Sequence, residues 1–466
     1  MTVGSGVAFP VAVPVVIVGA GAAGLTAALA AREAGADVLI VERDAVPSGS
    51  TALSSGLIPA AGTRWQAAKG VADDPSRFAA DIMAKNKQRA DPAIVAVAAA
   101  NAGATLEWLG ARHGVPFDLV EGFLYSGHSV LRMHGTPRRS GRELIDHLHR
   151  AATASGAEIM TSARAQTLHA GDNGRIAGID IVRPDGSGEA IGCGALVLAC
   201  NGYGGNRERV ARHIPEMADA LYFGHPGNQG EALAWGEALG AAIADLGAYQ
   251  GHGSVAHPHG ILVTWALMLE GGFQVNAAGR RFSNEHAGYS EQAVAVLRQP
   301  GKIAYSIYDE RLHQLALGFE DYRAAVKAGA VRRAPSIREL AASFNLAPSA
   351  LGATLEETRA LAAGRGSDPF GRVFTDKPPL APPFYGVRVT GALFHTQGGL
   401  EVDVSARVLR RDRSSFPNLL AAGGAARGVS GPTVDGYLSG NGLLTAVTLG
   451  RIAGTTAAST MTSTMN

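Results

Sequence analysis

The strongest pattern lies near the start of the chain, where short apolar runs alternate with glycines and a longer apolar stretch. Val15–Val18 is a run of β-branched residues, and the glycine-rich stretch Gly19–Gly24 follows it directly. Apolar residues then continue over Leu25–Ala34, and a second short apolar run, Asp37–Val41, ends at Glu42. The short β-branched runs predict buried strands, and the longer stretch predicts a helix. The chain therefore opens with a strand, a glycine turn, a helix and a second strand.

The spacing of the three glycines in this unit fits a ligand that carries phosphate. Gly19 permits the tight turn, Gly21 leaves room for a pyrophosphate beside the backbone, and Gly24 lets the helix pack closely on the strand. The first helical turn attracts negative charge, and an acidic residue at the end of the second strand binds ribose hydroxyls. The predicted dinucleotide contacts are Gly19, Gly21, Ala22, Ala23, Gly24, Glu42 and Arg43. NAD and FAD both bind such a unit.

The pattern of apolar run and glycines returns twice later in the chain. Ala195–Ala199 predicts a buried strand before Asn201–Gly205, and Asn418–Gly424 repeats this arrangement. Ser439–Gly454 is typical of a glycine loop followed by a helix. The intervening segment contains helix-like stretches, and the stretch Thr354–Gly364 begins with the spacing of a capping box. We therefore expect one sheet built from separated parts of the chain, with an insertion between them.

Composition narrows the class of protein. The 41 Lys and Arg residues nearly balance the 40 Asp and Glu residues, which leaves a net charge of +1 over 466 residues. The chain therefore offers no basic surface for nucleic acid or an acidic membrane. Its 2 cysteines exclude a disulfide framework and a four-cysteine metal site, and we expect no metal. Because neither a secretory signal nor an apolar run of about 20 residues is evident, we expect a cytoplasmic protein without a membrane span.

The segment Gly49–Gly56 is small and polar and directly follows the second predicted strand. The order of glycine unit, acid-ended strand and Ser/Thr/Gly-rich loop resembles the flavoprotein superfamily of fumarate reductases, succinate dehydrogenase flavoproteins and 3-ketosteroid dehydrogenases. The resemblance implies FAD, with this loop along the flavin. Members that bind FAD covalently carry a His where this chain has Ser50, so we expect non-covalent FAD. The further FAD contacts that the resemblance implies are Ser50, Thr51, Ser54, Ser55, Gly56, Asn201, Gly202, Gly423, Gly440, Asn441, Leu443 and Leu444.

The resemblance also implies the fold. We expect an α/β protein with a Rossmann-like FAD-binding domain and an inserted α+β capping domain. The FAD-binding domain would comprise residues 14–248 and 395–456, and the capping domain would comprise residues 249–394 and close over the substrate. One departure is that many members have Glu where this chain has Gly424.

Two tyrosines stand where the reductases of this superfamily carry arginines. Gly279–Glu285 matches a reductase motif, and five residues after its asparagine stands Tyr289 instead of an Arg that delivers a proton. Tyr437 stands where the reductases place an Arg that clamps a substrate carboxylate. In 3-ketosteroid dehydrogenases a Tyr after the same motif removes the proton α to a ketone, and a Tyr near the final loop binds the ketone oxygen. The resemblance implies these roles here, with the N–H of Gly440 or Asn441 beside Tyr437.

Three further side chains are candidates for the active site. His395 and His252 match histidines of the fumarate reductases, where an imidazole binds a substrate carboxylate, so a carboxylated substrate stays open. Each imidazole could equally bind residues where the cap joins the FAD-binding domain, or form a hydrogen bond with a flavin carbonyl. Tyr125 is a third candidate tyrosine. The proton-relay Arg of the reductases aligns near Met268, so that relay is missing.

A group of basic residues precedes the predicted helix that begins after Ser140. Arg132, His134, Arg138 and Arg139 lie within eight positions of each other. Such a run is typical of a solvated or phosphate-facing surface, and we expect that location here.

These patterns predict an FAD-dependent dehydrogenase that introduces a carbon–carbon double bond next to the carbonyl of a cyclic ketone. A 3-oxosteroid and an oxocyclohexane carboxylate are both suitable substrates. The alternative is a reductase of an activated alkene of the fumarate or urocanate type, and a flavin-bearing sensor without turnover is a third interpretation. The sequence leaves the electron acceptor open, with O2 and a quinone both suitable.

Overall fold

The computed structural model describes residues 2–4 and 6–462. Its helices are α1 (Ala22–Glu33), α2 (Arg64–Ala68), α3 (Pro75–Lys85), α4 (Pro92–His113), α5 (Gly141–Ala154), α6 (Arg207–His213), α7 (Glu231–Leu239), α8 (Ala266–Leu269), α9 (Tyr289–Leu297), α10 (Glu310–Ala316), α11 (Glu320–Lys327), α12 (Ile337–Ser343), α13 (Pro348–Ala362) and α14 (Asn441–Thr462).

The strands are β1 (Thr2–Gly4), β2 (Val11–Val18), β3 (Val38–Val41), β4 (Ile58–Pro59), β5 (Asp118–Leu119), β6 (Met133–Gly135), β7 (Glu158–Met160), β8 (Arg164–Ala170), β9 (Ile176–Val182), β10 (Gly188–Leu198), β11 (Leu221–Tyr222), β12 (Ile243–Ala244), β13 (Tyr249–Ala256), β14 (Ile261–Leu262), β15 (Phe273–Val275), β16 (Ile303–Asp309), β17 (Val331–Ala334), β18 (Phe384–Thr396), β19 (Gly399–Leu400), β20 (Arg407–Leu409) and β21 (Ser415–Ala421).

A parallel sheet forms the base of the molecule, as the apolar runs predicted. Strand β2 pairs in parallel with β3 and β10, and β10 pairs in parallel with β21. The four strands end at Val18, Val41, Leu198 and Ala421, and their carboxyl ends therefore lie at one edge of the sheet. The predicted glycine turns follow these ends, so the fold brings distant parts of the chain together at that edge. The Rossmann-like α/β prediction is confirmed.

A second, antiparallel sheet lies in the inserted part of the chain. Its central strand is β18, which pairs with β13 and β16, and β14 and β15 form its edges. Helices α8 to α13 surround this sheet, which confirms an α+β cap. The short strand β11 also pairs with β18, so one strand N-terminal to residue 249 adds to the cap sheet. The domain boundaries themselves stay predictions.

One predicted helix start in the cap is wrong. Helix α13 begins at Pro348, six residues before Thr354, and Pro occupies its first turn, where its missing N–H costs nothing. The hydroxyl of Thr354 instead donates to the carbonyl oxygen of Gly279 at 2.7 Å. The capping-box spacing thus occurs inside a helix, where the threonine holds the loop that carries Gly279.

Helix α4 is long and apolar enough by composition to cross a membrane, but 56% of its most apolar window is buried inside the protein. It packs against α3 and α14, and its buried face includes Ile94, Leu106 and Leu109. No other described helix meets this test of length and hydropathy.

The two long helices α1 and α14 pack with their backbones in contact. A Cβ atom added at Gly454 would lie 2.0 Å from the carbonyl oxygen of Ala27, and one at Gly450 would lie 2.6 Å from that of Ala23. These distances are below any van der Waals contact, so only glycine fits at both positions. The contact joins the beginning of the chain to its end.

We therefore expect Gly454→Ala to lower the free energy of unfolding by about 1–3 kcal/mol, the usual cost of overpacking. Gly352→Ala is a matched control, because Gly352 also lies inside a helix but a Cβ there would meet no atom within 4 Å. The control should gain up to about 1 kcal/mol from helix propensity. Urea unfolding measures both, and an unchanged midpoint in Gly454→Ala would contradict the close contact.

Candidate active site

A large cleft lies between the edge of the parallel sheet and the cap. Residues from the glycine turn after β2 line one end, and residues of the cap line the other. The cleft thus runs from a turn suited to phosphate to the cap, the arrangement expected of a site for a dinucleotide and a second, smaller molecule. We call these two parts the nucleotide end and the reactive end.

The nucleotide end begins at the turn between β2 and α1. Gly19 has a φ of +106°, and a Cβ there would lie 2.6 Å from the carbonyl oxygen of Ala199. A Cβ at Gly21 would meet only the Thr51 hydroxyl, at 3.7 Å, so the backbone at Gly21 lies open to the cleft. The N-cap residue of α1 is Gly21, which has no side chain to cap the helix. A glycine backbone at a helix N-terminus fits a pyrophosphate.

Glu42 ends β3 beside this turn and is almost fully buried. One carboxylate oxygen accepts the N–H of Ala20 at 2.7 Å, and the other accepts the N–H of Asp44 at 3.0 Å. Each oxygen can accept a further hydrogen bond, such as one from a ribose hydroxyl. The neighbouring Arg43 pairs with Glu231 at 2.7 Å and also lines the cleft.

The loop Gly49–Gly56 crosses the start of α1. The Thr51 hydroxyl accepts the N–H of Ala22 at 3.2 Å, and the Ser54 hydroxyl donates to the carbonyl oxygen of Thr51 at 2.7 Å. The Ser50 hydroxyl accepts two hydrogen bonds, from the N–H of His225 at 3.1 Å and the amide of Asn228 at 2.9 Å. These bonds hold the small polar loop along the middle of the cleft.

Most of the sequence-predicted cofactor residues line this cleft: Gly19, Gly21, Ala22, Ala23, Glu42, Arg43, Ser50, Thr51, Ser54, Ser55, Gly56, Asn201, Gly423, Gly440 and Leu443. Four others lie behind the wall. Gly24 and Gly202 allow close packing, because a Cβ there would lie 1.9 Å from the Gly19 oxygen and 2.0 Å from the Thr396 hydroxyl. Asn441 and Leu444 are fully buried below the start of α14.

Local packing explains why position 424 is a glycine and not the glutamate that was expected from the superfamily. A Cβ at Gly424 would lie 2.2 Å from the side-chain oxygen of Asn201, which leaves no room for a larger residue. Asn201 has a φ of +65°, and its side chain also accepts the N–H of Gly202 at 2.8 Å. Asn201 therefore occupies the space that a glutamate side chain would need.

Three phenols meet at the reactive end. The ring centroids of Tyr289 and Tyr437 are 6.0 Å apart, and those of Tyr289 and Tyr125 are 6.1 Å apart. The Tyr437 hydroxyl donates to the side-chain oxygen of Gln250 at 3.0 Å and accepts the N–H of Gly442 at 3.4 Å. The sequence prediction concerns a different bond, from the N–H of Gly440 or Asn441 to a substrate oxygen beside Tyr437, and it stays a prediction. The Gly442 N–H, which the sequence did not single out, binds the phenol itself.

A column of stacked rings forms one wall of the reactive end. Phe223 stacks on Phe394 at 4.7 Å, Phe394 on His252 at 5.2 Å, and His252 on Tyr289 at 4.8 Å, all with interplanar angles of 26° or less. Neither phenylalanine was singled out from the sequence, because an isolated Phe carries no chemical signal. The column ends at Tyr289, and its four side chains all line the cleft.

The reactive end contains no charged side chain among its described lining residues. These are Tyr125, Met133, Phe223, Gln250, His252, Leu262, Tyr289, Phe394, His395, Gln397, Tyr437 and Ser439. Burial lowers the pKa of His252 to about 3 and that of His395 to about 4, so both imidazoles are neutral near pH 7. Neutral imidazoles can donate a hydrogen bond but supply no positive charge for a carboxylate.

The three phenols have raised pKa values for the same reason. Burial raises the pKa of Tyr289 to about 12, although its polar neighbours Ser439, Tyr437 and the Gly440 N–H oppose the rise. Burial also raises the pKa of Tyr437 well above its usual range, and the Tyr289 phenol adds to this shift. Tyr289 is therefore the phenol whose ionised form the site favours most, and Tyr437 stays protonated.

The described residues contain no group of three His, Cys, Asp or Glu side chains that could hold a metal ion. Both cysteines are free, and Cys200 lines the cleft.

Comparison with known proteins supports the architecture of this cleft. Residues 14–443 match the sequence profile of a family described as "FAD binding domain". The chain is 30% identical over 444 residues to a probable fumarate reductase, Ifc3, of Shewanella frigidimarina, covering 95% of this chain and 74% of that protein. It is 25% identical over 548 residues to the 4-oxocyclohexanecarboxylate 2-dehydrogenase of Sinomonas cyclohexanicum, covering 95% of this chain and 92% of that enzyme.

A solved structure of similar fold is the 3-ketosteroid Δ4-(5α)-dehydrogenase of Rhodococcus jostii in complex with 4-androstene-3,17-dione. The TM-score is 0.75 at 25% identity, and the match covers 98% of this chain and 100% of that one. Reductases and ketone dehydrogenases are thus both similar to this chain.

We expect the purified protein to be yellow and to release intact FAD when precipitated with acid. Two nucleophilic side chains, His225 and Cys200, line the middle of the cleft, but neither is suited to form a covalent bond to a flavin. Both nitrogens of His225 are occupied, one by Asp44 at 2.8 Å and one by the N–H of Gly227 at 3.0 Å. Burial raises the pKa of the Cys200 thiol to about 12. Absorbance of the supernatant and the pellet measures the partition, and flavin that stays with the pellet would contradict non-covalent binding.

Proposed function

The chain belongs to the FAD-binding family whose profile it matches, and we propose that it dehydrogenates a ketone by introducing a carbon–carbon double bond next to the carbonyl group. It is an FAD-dependent oxidoreductase. The proposal is based on the side chains and backbone groups that line the reactive end of the cleft. Three phenols and two backbone N–H groups face it, and its described lining residues contain no charged side chain.

The lining favours a neutral, flat substrate. A dicarboxylate needs positively charged partners to offset the cost of leaving water, and the neutral His252 and His395 supply none. The rings of Phe223 and Phe394 and the side chain of Leu262 supply instead apolar surface of the kind that the hydrocarbon part of a cyclic ketone can contact. His395 can still donate one hydrogen bond to a second polar group of such a substrate.

In this proposal Tyr289 removes the proton α to the carbonyl group. The Ser439 hydroxyl and the Gly440 N–H, which face its oxygen, stabilise the phenolate that does so. Tyr437, which stays protonated, donates to the carbonyl oxygen as the α proton leaves and negative charge develops there. Gln250, which now accepts from Tyr437, would yield this hydroxyl to the substrate. Tyr125 packs edge-on against Tyr289 and restricts the base to one orientation.

When bound, FAD supplies the acceptor for the hydride from the β carbon. The ketone loses one proton to Tyr289 and one hydride, two electrons in all, and becomes an enone. The residues that would hold FAD are the glycine turn after β2, Glu42, the loop Gly49–Gly56 and the start of α14. The two free cysteines are consistent with a cytoplasmic location, which we propose as well.

A second candidate is the reverse chemistry, reduction of an activated alkene. The similarity to a fumarate reductase favours it, as do His252 and His395, which line the cleft at positions predicted from such enzymes. The Tyr289 phenol would then have to deliver a proton. The lack of a charged side chain at the reactive end makes a carboxylated alkene the poorer ligand.

Tyr289→Phe should keep its FAD and still bind a ketone, but its flavin reduction should fall at least 10²-fold because the base is gone. It should also lose exchange of the substrate α proton with deuterated solvent. In the parent protein the rate should rise with pH across the neutral range, since the phenolate fraction grows tenfold per pH unit below the pKa.

Tyr305→Phe is the matched control, because Tyr305 is a buried tyrosine of the cap sheet that does not line the cleft. It should reduce its flavin at the parental rate. Rapid anaerobic mixing with a cyclic ketone measures the rates, and mass spectrometry measures the exchange. A Tyr289→Phe protein that reduces flavin as fast as the parent would overturn the proposed mechanism.

A further inference from the structure

Arg132 does not lie on a solvated surface, as its basic neighbours suggested, but is fully buried. Its guanidinium binds Asp73 with two hydrogen bonds, of 2.7 and 2.8 Å, and Asp81 with one of 2.6 Å. It also lies over the ring of Phe78, 4.6 Å from its centroid. The expectation for Arg132 was wrong because its two carboxylate partners come from a segment more than fifty residues earlier in the chain. The guanidinium also contacts one further side chain.

The remaining contact of Arg132 is a histidine. Its Nη1 lies 3.2 Å from Nδ1 of His128, and Nε2 of His128 lies 3.0 Å from the carbonyl oxygen of Ser439. A guanidinium only donates hydrogen bonds, so Nδ1 must accept and the proton of the neutral ring must be on Nε2. Nε2–H then donates to the Ser439 carbonyl. Arg132 thereby selects the tautomer that can bind this loop.

The carbonyl of Ser439 belongs to the same peptide unit as the N–H of Gly440. A trans peptide is planar, so its C=O and N–H point in opposite directions. His128 holds the carbonyl end. Ser439 and Gly440 line the cleft together with Tyr289, and the Gly440 N–H opposes the rise in the pKa of that phenol. Gly440 has a φ of +88°, and a Cβ there would lie 2.5 Å from Pro59, so the unit is also confined from the side. One peptide therefore lies between His128 and the part of the cleft that contains the phenol.

We propose that His128 is a positioning residue that orients the peptide between Ser439 and Gly440, so that its N–H stabilises the ionised form of Tyr289. The charge of Arg132 polarises the same chain of hydrogen bonds, from guanidinium through imidazole and peptide to the phenol oxygen. The contribution of His128 to turnover rests on the proposed function. Its effect on the ionised form of Tyr289 is independent of the reaction that the protein catalyses.

Other ionisable groups near these two residues could disturb the interpretation. Those that face Tyr289 are Tyr125, Tyr437, His252 and Glu291, together with Lys85, which pairs with Glu291 and lines a small cavity with Tyr289. Those that face His128 are Arg132, Asp73 and Asp81. Burial, followed by the charge of Arg132, lowers the pKa of His128 to about 4. His128 thus stays neutral at neutral and alkaline pH, and a change seen there cannot come from its own ionisation.

The test replaces His128 by Met, which fills the space of the ring without a donor. His134→Met is the matched control, because His134 is a second buried, neutral histidine close by in sequence, but it binds Thr63 and not the loop. His128→Gln should restore function, since its amide can accept from Arg132 and donate to Ser439. If His128→Met does not fold, His128→Asn takes its place, because its shorter amide cannot span both partners.

Two readouts are needed. In the first, the Tyr289 Cζ signal of tyrosine-labelled protein, assigned by its loss in Tyr289→Phe, is recorded by NMR without substrate at one slightly alkaline pH, because its chemical shift reports hydrogen bonds to the phenol oxygen. His128→Met should displace this signal from its parental position. In the second, flavin reduction by a ketone should fall about 10²-fold, the usual effect of a small displacement in a site, with KM nearly unchanged.

His134→Met and His128→Gln should match the parent in both readouts. An unmoved Tyr289 signal in His128→Met, or an equal displacement in His134→Met, would overturn the proposal. If no ketone reduces the flavin of the parent protein, the proposed function fails, but the substrate-free NMR signal still decides the role of His128.

Discussion

The contact between α1 and α14 decides where the two ends of the cleft lie. Gly450 and Gly454 place α14 directly on the backbone of α1 near Ala23 and Ala27. Helix α1 begins at the glycine turn of the nucleotide end, whereas α14 begins at the loop of the reactive end. Because the helices touch backbone to backbone, their two N-termini are held in a fixed relation. One suits a pyrophosphate, and the other directs N–H groups at the phenols.

The second physical constraint is the lack of charge at the reactive end. In such a site a phenol, an imidazole and a backbone N–H are all strong partners for one another, but none of them can hold a carboxylate at low cost. Arg132, the buried cation that contacts His128, is paired with Asp73 and Asp81 and reaches the loop of the reactive end through His128 and one peptide. Its positive charge therefore lies outside the described lining of the reactive end.

Local patterns in the sequence predicted much of this. The strand, turn and helix at Val15–Ala34 follow from residues that are neighbours along the chain, and the five candidate catalytic side chains all line the cleft. What the sequence could not predict are contacts between distant segments. The buried state of Arg132 depends on acids from α3 and the loop before it, and the inward position of Thr354 depends on the loop at Gly279.

The central claim is that this protein removes hydrogen from a saturated ketone. The most direct measurement mixes the oxidised protein, without air, with a series of saturated cyclic ketones that differ in ring number and in a carboxylate substituent. In parallel, the reduced protein is mixed with fumarate and with urocanate. The account predicts that a neutral cyclic ketone bleaches the flavin and yields an enone, and that neither carboxylated alkene reoxidises it rapidly. Rapid reoxidation by either alkene, with no bleaching by any ketone, would contradict it.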